Sequence, residues 1–106
     1  MKYEVVYSLK AQGHLKGIYH YIADHAGRSI AHRYVSKIEE TCNGLSDFPM
    51  RGKPRDDIRA GLRTTSHKRR VVIVYEIDRS RVIIHGVFYG GRDYEPEMRD
   101  DHAKRN

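Results

Sequence analysis

An almost unbroken apolar run, Val71-Val72-Ile73-Val74-Tyr75, constrains the fold more than any other part of the sequence. A short run of β-branched and aromatic residues without polar alternation is typical of a strand that is buried on both faces. We therefore expect a central strand over residues 70–77. Asp78-Arg79-Ser80 then forms a short turn, and residues 81–89 read as the partner strand of a hairpin, which Gly90-Gly91 ends.

A strand and two amphipathic helices are predicted before residue 50. Residues 2–7 are rich in Tyr and Val and predict a strand. Apolar residues then recur at helical spacing between an N-cap at Ser8 and a break at Ala26-Gly27. They are Ala11, Leu15, Ile18, Tyr19 and Ile22. A second stripe follows a cap at Ser29 and consists of Ile30, Ala31, Tyr34, Val35, Ile38, Cys42 and Leu45. The short link between the helices predicts an antiparallel helical hairpin.

The complete order of elements is predicted to be β-α-α-β-β-β. This is an α+β fold in which the helical hairpin packs on one face of an antiparallel sheet. Residues 50–60 are polar and contain a glycine and a proline, so we expect a long loop before a weak strand at residues 61–66. The other sheet face is expected to be open and lined by arginines. The domain is expected to span residues 1–95, and residues 96–106 a polar, flexible tail.

Two glycines, Gly13 and Gly17, lie inside the first predicted helix. A glycine in a helix interior costs about 1 kcal/mol relative to alanine. We expect the two glycines to be explained by close packing of this helix against a neighbouring element.

The net charge of +6 is concentrated in one segment. Residues 51–81 hold ten Lys and Arg against four Asp and Glu, which gives +6, whereas residues 1–50 contribute +1 and residues 82–106 contribute −1. A focused basic field favours docking onto an anionic partner, either nucleic acid or an acidic protein. A solvated surface without any partner is the alternative.

Several classes of protein are excluded by composition. Cys42 is the single cysteine, so an internal disulfide framework is impossible, and its place in a helical stripe predicts a buried thiol rather than a nucleophile. The N-terminus lacks the apolar run of a signal peptide, and no stretch of about 18 apolar residues predicts a membrane span. We therefore expect a cytoplasmic protein that does not bind a membrane.

A set of polar side chains follows the predicted sheet and its loops. It comprises Arg63, His67, Lys68, Arg69, Arg70, Tyr75, His85, Tyr89, Arg92 and Tyr94. RNA cleavage needs a general base, a general acid and cations near the phosphate, which His85 or Tyr89 with Arg63 would supply. Within its strand His85 shares a face with Ile83 and Val87, and no carboxylate base is evident beside it. Arginines on an exposed strand serve phosphate or carboxylate docking equally well.

The seven histidines do not have metal-ligand spacing. His14, His20 and His25 do not share one helical face, and His67, His85 and His102 are irregularly placed. We expect neither a metal nor a cofactor.

Seven short motifs follow one another along the chain. They are Tyr3-x-Val5; Ala11 and Leu15 with Ile18-x-x-Tyr21-Ile22; Ala31-x-Arg33; Cys42-x-x-Leu45-x-x-Phe48-Pro49-x-x-Gly52; Arg55-Asp56-Asp57-Ile58-Arg59-x-Gly61-Leu62-Arg63; Ile73-x-Tyr75; and Val87-Phe88-Tyr89-Gly90-Gly91-Arg92-Asp93. With these motifs the sequence resembles the ParE branch of the RelE/ParE toxin superfamily over residues 3–95.

This resemblance implies a toxin of a type II toxin–antitoxin module that inhibits DNA gyrase, stalls it with DNA cleaved and blocks replication without being an enzyme. It implies a ParD-like antitoxin as partner, with a ribbon-helix-helix dimer and a C-terminal tail that wraps the toxin. Operator DNA would be bound only through that antitoxin. The alternative is a RelE-like, ribosome-dependent mRNA endonuclease. A third reading is a nontoxic nucleic-acid-binding module that uses the basic stripe.

Candidate site residues follow from the resemblance and from the charge. No residue is assigned a catalytic role in the leading hypothesis. For the target the candidates are Arg63, Arg69, Arg70, Tyr89 and Arg92. For the antitoxin they are Leu15, Tyr19, Ile22, Tyr34, Arg63 and Arg70, along the helical hairpin and across the basic sheet. The residues that correspond most nearly to a RelE-like catalytic set are Lys53, Arg63, Arg81 and Tyr89.

Overall fold

The predicted apolar strand lies in the middle of a sheet with helices on one side, as seen in a computed structural model that describes residues 2–99. The strands are β1 (Glu4–Tyr7), β2 (Lys53–Pro54), β3 (Leu62–His67), β4 (Val71–Asp78) and β5 (Arg81–Tyr89). The helices are α1 (Leu9–Ala26) and α2 (Arg28–Asn43), and 3₁₀ turns occur at Gly44–Ser46 and Pro49–Arg51. The α+β fold and the helical hairpin are confirmed, and β2 is an additional short strand.

The sheet has the order β1-β5-β4-β3-β2 and is mixed. β4 pairs antiparallel with β3 and β5, as predicted, whereas β1 pairs parallel with β5. Parallel pairing is possible because the connection from β1 to β5 is long and includes both helices, unlike a tight hairpin. β2 lies in the segment predicted as a loop. It pairs with only part of β3, and its Pro54 suits a sheet edge because proline has no N–H for a further strand.

The helical hairpin begins and ends close to the predicted positions. The Ser8 side chain accepts a hydrogen bond of 3.0 Å from the Ala11 N–H, which confirms the predicted N-cap. The prediction that Ser29 caps α2 is wrong. Gly27 is the boundary residue of both helices, with φ 99°, so α2 starts one residue earlier and without a side-chain cap. A glycine suits this position because L-residues rarely adopt that φ.

The main core lies between the helices and one sheet face. It contains the α1 residues Ala11, Leu15, Ile18 and Ile22, the α2 residues Ala31, Ile38 and Cys42, and the sheet residues Val71, Ile73, Tyr75, Val82, Ile84 and Val87. Burial raises the pKa of the Cys42 thiol to about 12. The thiol is therefore neutral at physiological pH and packs as a small apolar side chain, as its place in the stripe predicts.

The second sheet face is also covered, and the expectation of an open face lined by arginines is wrong. A second cluster consists of Ile58, Leu62, Val74, Phe88 and Met98, each of them at most 5% exposed. The reason was present in the sequence, since a strand without polar alternation needs apolar cover on both faces. The loop around Ile58 and the helical residues 95–99 provide this cover.

The chain packs beyond the predicted domain end at residue 95. Met98 is completely buried in the second cluster, and Tyr94 packs against the same cluster. The expected flexible tail therefore contains an apolar anchor in its described part, and burial of such a methionine side chain contributes about 1.5 to 3 kcal/mol. Residues 100–106 of that predicted tail lie outside the described residues.

A β-bulge at His85 changes which side chains of β5 face the helices. Val74 pairs with Gly86 and Tyr75 pairs with Ile84, so His85 is an extra residue in β5. A bulge reverses the alternation of side chains. As a result Ile84 and Val87 both face the helices, and the prediction that His85 and Val87 share a face is wrong.

Candidate functional site

The basic segment is not one surface, because several of its cations bond inside the protein. A guanidinium nitrogen of Arg63 donates to the carbonyl oxygens of Gly52 at 2.7 Å and Met50 at 3.2 Å. On the same loop the Tyr75 hydroxyl donates to the Pro49 carbonyl at 2.7 Å and accepts from the Gly52 N–H at 3.0 Å. We call Pro49, Gly52, Arg63 and Tyr75 the loop lock. It holds the turn before β2 against β3 and β4.

Gly52 is fixed by its surroundings in the loop lock. A Cβ atom at this position would lie 2.5 Å from the Tyr75 hydroxyl and 2.7 Å from the Thr64 carbonyl oxygen. The first neighbour is a buried group and the second is backbone, so neither can move away cheaply. The Pro49-x-x-Gly52 spacing and the tyrosine of the Ile73-x-Tyr75 motif therefore serve the fold.

Arg55 fastens residues 94–99 to the loop before β3. It forms hydrogen bonds of 3.0 and 2.9 Å to Asp57 and one of 3.0 Å to Glu95, and it also donates to the Tyr94 hydroxyl. The hydrogen bonds from Arg55 hold the pKa of the Asp57 carboxyl below its usual value. Arg55 therefore bonds both to its own loop, through Asp57, and to the C-terminal residues, through Tyr94 and Glu95.

A charged cluster of Arg59, Glu76 and His85 lies on the second sheet face. Arg59 is only 6% exposed, and one of its nitrogens is 3.5 Å from the Glu76 carboxylate. His85 Nε2 contacts the same carboxylate oxygen. The expectation that no carboxylate lies beside His85 is wrong, because Glu76 on β4 contacts its Nε2. Glu76 was missed because the bulge alters the pairing.

The turn between β3 and β4 carries cations of a different kind. Lys68, Arg69 and Arg70 are exposed, and none of them has an ion pair within residues 2–99. The Arg70 N–H donates to the His67 carbonyl at 3.2 Å and closes a tight turn. Its two central residues have positive φ, 50° for Lys68 and 63° for Arg69. We call Lys68, Arg69 and Arg70 the tip cations.

Aromatic side chains and Arg92 lie at the same end of the sheet as the tip cations. The Gly90 N–H donates to the Arg70 carbonyl at 2.9 Å, which places the end of β5 beside the tip. The Tyr89 ring lies 5.7 Å from the Tyr34 ring and 6.0 Å from the Tyr21 ring. Arg92 lies 5.3 Å from the centre of the Phe88 ring and pairs with Glu97.

The target candidates therefore separate into two groups. Arg69, Arg70 and Tyr89 lie at the tip end, and Arg92 follows close to it in sequence with its guanidinium paired to Glu97. Arg63 lies roughly 13 Å from the turn, at about 3.3 Å per residue along β3, and its side chain belongs to the loop lock. Burial raises the pKa of Tyr34, whereas the positive charge of Arg70 acts to lower it. Arg70 is therefore close to the Tyr34 hydroxyl, and Tyr34 also belongs to the tip group.

A groove of about 310 Å³ opens between α1 and the end of β5. Its lining includes Gly13, Gly17, Tyr21, Tyr89 and Arg92. Apart from the adjacent residues and the backbone of the same helix, no atom lies within 4 Å of the position that a Cβ would take at either glycine. The expectation of close helix packing at Gly13 and Gly17 is therefore wrong, and their missing side chains widen this groove instead. We call it the tyrosine groove.

The antitoxin candidates also occupy different places. A second groove of about 280 Å³ on the helical hairpin is lined by Leu15, Tyr19 and Val35, with polar residues at its rim. Ile22 is buried in the main core and offers little surface, and Tyr34 lies near the tip. Arg63 belongs to the loop lock and Arg70 to the tip cations. We call the second groove the hairpin groove.

The RelE-like set does not form one site. Arg81 begins β5 and Tyr89 ends it, roughly 26 Å apart at about 3.3 Å per residue. His85 bonds to Glu76 on the second sheet face, whereas Tyr89 packs against the main core on the helix side. Lys53 lies on the edge strand β2, next to the loop lock.

Metal-binding and membrane-spanning features are absent from residues 2–99. In this range no group of three His, Cys, Asp or Glu side chains is placed to hold a metal ion. Neither helix of the described chain has the length and apolar character needed to cross a membrane.

The fold and the motif residues together define a small toxin of a toxin–antitoxin module. Residues 5–94 match the model of the ParE toxin of the type II toxin–antitoxin system parDE. Toxin ParE3 of Caulobacter vibrioides is 31% identical over 80 residues, which cover 76% of this chain and 79% of that toxin. This chain therefore belongs to the ParE toxin family of type II toxin–antitoxin systems.

Two solved structures have the same fold. The chromosomal ParDE system from P. aeruginosa matches with a TM-score of 0.74 and 20% identity, over 84% of this chain and 97% of the other. The toxin–antitoxin complex RelBE2 from Mycobacterium tuberculosis matches with a TM-score of 0.67 and 22% identity, over 84% and 99%. Both of these structures belong to toxin–antitoxin systems, and the likeness shows that this chain has the same fold.

Proposed function

We propose that this toxin inhibits DNA gyrase without catalysing a reaction itself, and so blocks replication in the cytoplasm. Gyrase inhibition is what the resemblance to the ParE branch implies. The observation that carries the proposal is the way the candidate residues are distributed. The groups that a nuclease would need lie on two sheet faces and at both ends of β5, whereas Arg69, Arg70 and Tyr89 lie at one end of the sheet, and Arg92 lines the groove beside Tyr89.

The endonuclease alternative is less well supported by this arrangement. General acid–base catalysis requires its groups within hydrogen-bond reach of the same substrate atoms. His85 has a carboxylate neighbour, Glu76, but the other partner of that carboxylate, Arg59, is almost fully buried. Arg63 donates to two backbone carbonyls and would have to leave them to reach a phosphate.

We further propose that a ParD-like antitoxin neutralises the toxin through the hairpin groove. Leu15, Tyr19 and Val35 provide an apolar floor there, and Lys16 and Glu39 provide a charged rim. An amphipathic helix of an antitoxin would place its apolar face in such a groove. Its ribbon-helix-helix part would carry the contact with operator DNA, so the toxin would reach the operator only through the antitoxin.

The experiment combines a gyrase assay with an antitoxin assay. Purified toxin is incubated with gyrase and plasmid, and in parallel with ribosomes and messenger RNA. We expect cleaved plasmid to accumulate while the RNA stays intact. Addition of the antitoxin should abolish the plasmid cleavage. Ribosome-dependent RNA cleavage with unaffected gyrase would overturn the proposal in favour of the endonuclease.

The variant Tyr19→Asp tests the hairpin groove separately. A buried carboxylate in an apolar contact should weaken antitoxin binding about tenfold or more, while the inhibition of gyrase persists. The matched control is His20→Asp, because His20 is exposed and does not line the groove. Equal antitoxin affinity of the two variants would place the antitoxin elsewhere and leave the gyrase proposal standing.

A further inference from the structure

We propose that the tip cations and the tyrosine groove together form a binding surface for single-stranded nucleic acid. In this surface Lys68, Arg69 and Arg70 contact phosphates, and Tyr21 and Tyr89 stack on bases. The inference goes beyond the proposed function, since a gyrase inhibitor that binds only protein needs no contact of its own with nucleic acid.

The backbone of the tip turn is unusual for the residues that it contains. Lys68 and Arg69 both have positive φ, and the Arg70 N–H closes the turn onto the His67 carbonyl. A hairpin turn with two such residues is most favourable with Asn-Gly or a similar pair, because other L-residues are strained there. This turn holds two long cationic side chains at an exposed tip, whereas the other turn with positive φ holds one, Arg79.

The charges of the tip cations are not neutralised by neighbouring carboxylates within the described residues. None of the tip cations has an ion pair with any residue in the range 2–99, although the segment around them contains carboxylates. Asp57 and Glu76 pair with Arg55 and Arg59. The tip therefore retains its full positive charge, which attracts a polyanion and makes binding depend on salt.

The aromatic side chains of the tyrosine groove favour nucleic acid over an acidic peptide. Tyr21 is 52% exposed, and its ring lies 6.0 Å from that of Tyr89 across the tyrosine groove. The groove of about 310 Å³ stays open because Gly13 and Gly17 have no side chains. Aromatic rings beside a cationic strip are the combination that binds single strands, with stacking on the bases and charge on the backbone. The Tyr21 ring also contacts the His25 ring at 4.3 Å, so a base would stack on its exposed part. An acidic peptide would use the cations only.

The chain offers a matched pair of variants. Arg69 and Arg79 are both exposed arginines at positive φ, 63° and 58°, in turns at opposite ends of β4. Glycine relieves the backbone at both positions and removes one charge from each. Arg69→Gly and Arg79→Gly should therefore both fold with unchanged or raised melting temperature, and they differ in whether the charge is lost from the tip.

Binding is measured by fluorescence anisotropy with labelled single-stranded DNA of about 12 nucleotides, its RNA counterpart and a DNA duplex, from about 50 to about 200 mM salt. Three phosphate contacts predict a slope of log affinity against log salt of about −2 for single strands. Arg69→Gly should flatten this slope to about −1.4, and Arg79→Gly should leave it unchanged. Tyr21→Ala should lower affinity about tenfold with the slope preserved.

The outcomes separate this inference from the gyrase proposal. Equal slopes for Arg69→Gly and Arg79→Gly, or tighter binding of the duplex than of the single strands, would each overturn it. Preference for the DNA or the RNA strand identifies the natural ligand within the proposal. If the wild-type toxin binds the single strand as expected but leaves gyrase unaffected, the gyrase proposal fails and the nucleic-acid surface stands.

Discussion

The loop lock and the tip cations lie at the two ends of the β3–β4 hairpin, and both carry arginines from the same basic segment. Arg63 at one end donates to two backbone carbonyls and supports a loop. Arg69 and Arg70 at the other end are exposed and have no ion pair within the described residues. A positive sum over residues 51–81 thus combines arginines that hold the fold together with arginines that are available to a ligand.

The same contrast extends to the other cations of the segment. Arg55 and Arg59 each pair with carboxylates, so their charges are largely neutralised inside the protein. Removing the carboxylate that pairs with Arg59 should cost stability, because Arg59 is buried and its charge is then left uncompensated. Removing a tip cation should cost almost no stability and should change binding. Three predictions test how sharp this division is.

The largest effect is expected from Glu76→Gln. Arg59 is 6% exposed and lies 3.5 Å from the Glu76 carboxylate, so the variant leaves a buried guanidinium without its counter-charge. Breaking one partner of a buried pair costs about 3 kcal/mol or more. Urea unfolding of the variant and the wild type measures the difference. Arg70→Gln at the tip is the control and should change stability by less than about 0.5 kcal/mol.

A small loss for Glu76→Gln, similar to that of Arg70→Gln, would contradict the division into internal and available cations. It would mean that water solvates Arg59 well enough without the carboxylate.

A moderate effect is expected from Tyr75→Phe in the loop lock. The variant removes the hydroxyl that donates to the Pro49 carbonyl and accepts from the Gly52 N–H. Two buried backbone groups are then left without a partner, which costs about 1 to 3 kcal/mol. Tyr21→Phe is the matched control, because the Tyr21 side chain is half exposed and should lose almost nothing. Equal stabilities of the two variants would show that the loop does not depend on the lock.

The sequence predicted the elements of this fold well because their signals are local. The Ser8 cap, the helical stripes and the apolar run of β4 each follow from residues that are neighbours along the chain. The parallel pairing of β1 with β5 and the cover of the second sheet face depend on contacts between distant residues. Met98 and Phe88 illustrate this, since neither residue indicates from its own segment that the two pack together.

The candidate site was harder to predict for the same reason. The charge sum locates the basic segment, but it cannot distinguish Arg63, whose partners are backbone carbonyls, from Arg69, which has no ion pair within the described chain. The bulge at His85 reverses side-chain alternation, so the pairing of His85 with Glu76 does not follow from the pattern of either strand. Gly13 and Gly17 are equally compatible in sequence with close helix packing and with an open groove, because a side chain is missing in either situation.

The smallest effect concerns His67, which lies beneath the tip turn. Its side chain is buried, its Nδ1 lies 2.7 Å from the Thr41 hydroxyl, and its Nε2 has no hydrogen-bond partner among residues 2–99. Burial, and secondarily the charge of Lys68, hold the pKa of His67 below its ordinary value. The unfolded chain therefore binds more protons than the folded chain as the pH falls below about 6.5.

The sign of the pH effect follows from this difference. The contribution of His67 to stability is fully present above its unfolded pKa and is lost as the pH falls towards the folded pKa, with a slope of at most about 1.4 kcal/mol per pH unit. Lys68→Asn removes the nearby charge and suits the positive φ of the turn, so the loss of stability between about pH 7 and about pH 5 should shrink by a few tenths of a kcal/mol. Arg79→Asn, at the other turn with positive φ, should leave the pH dependence unchanged. Thermal unfolding at both pH values measures the difference, and equal behaviour of the two variants would mean that the tip charge does not reach the buried histidine.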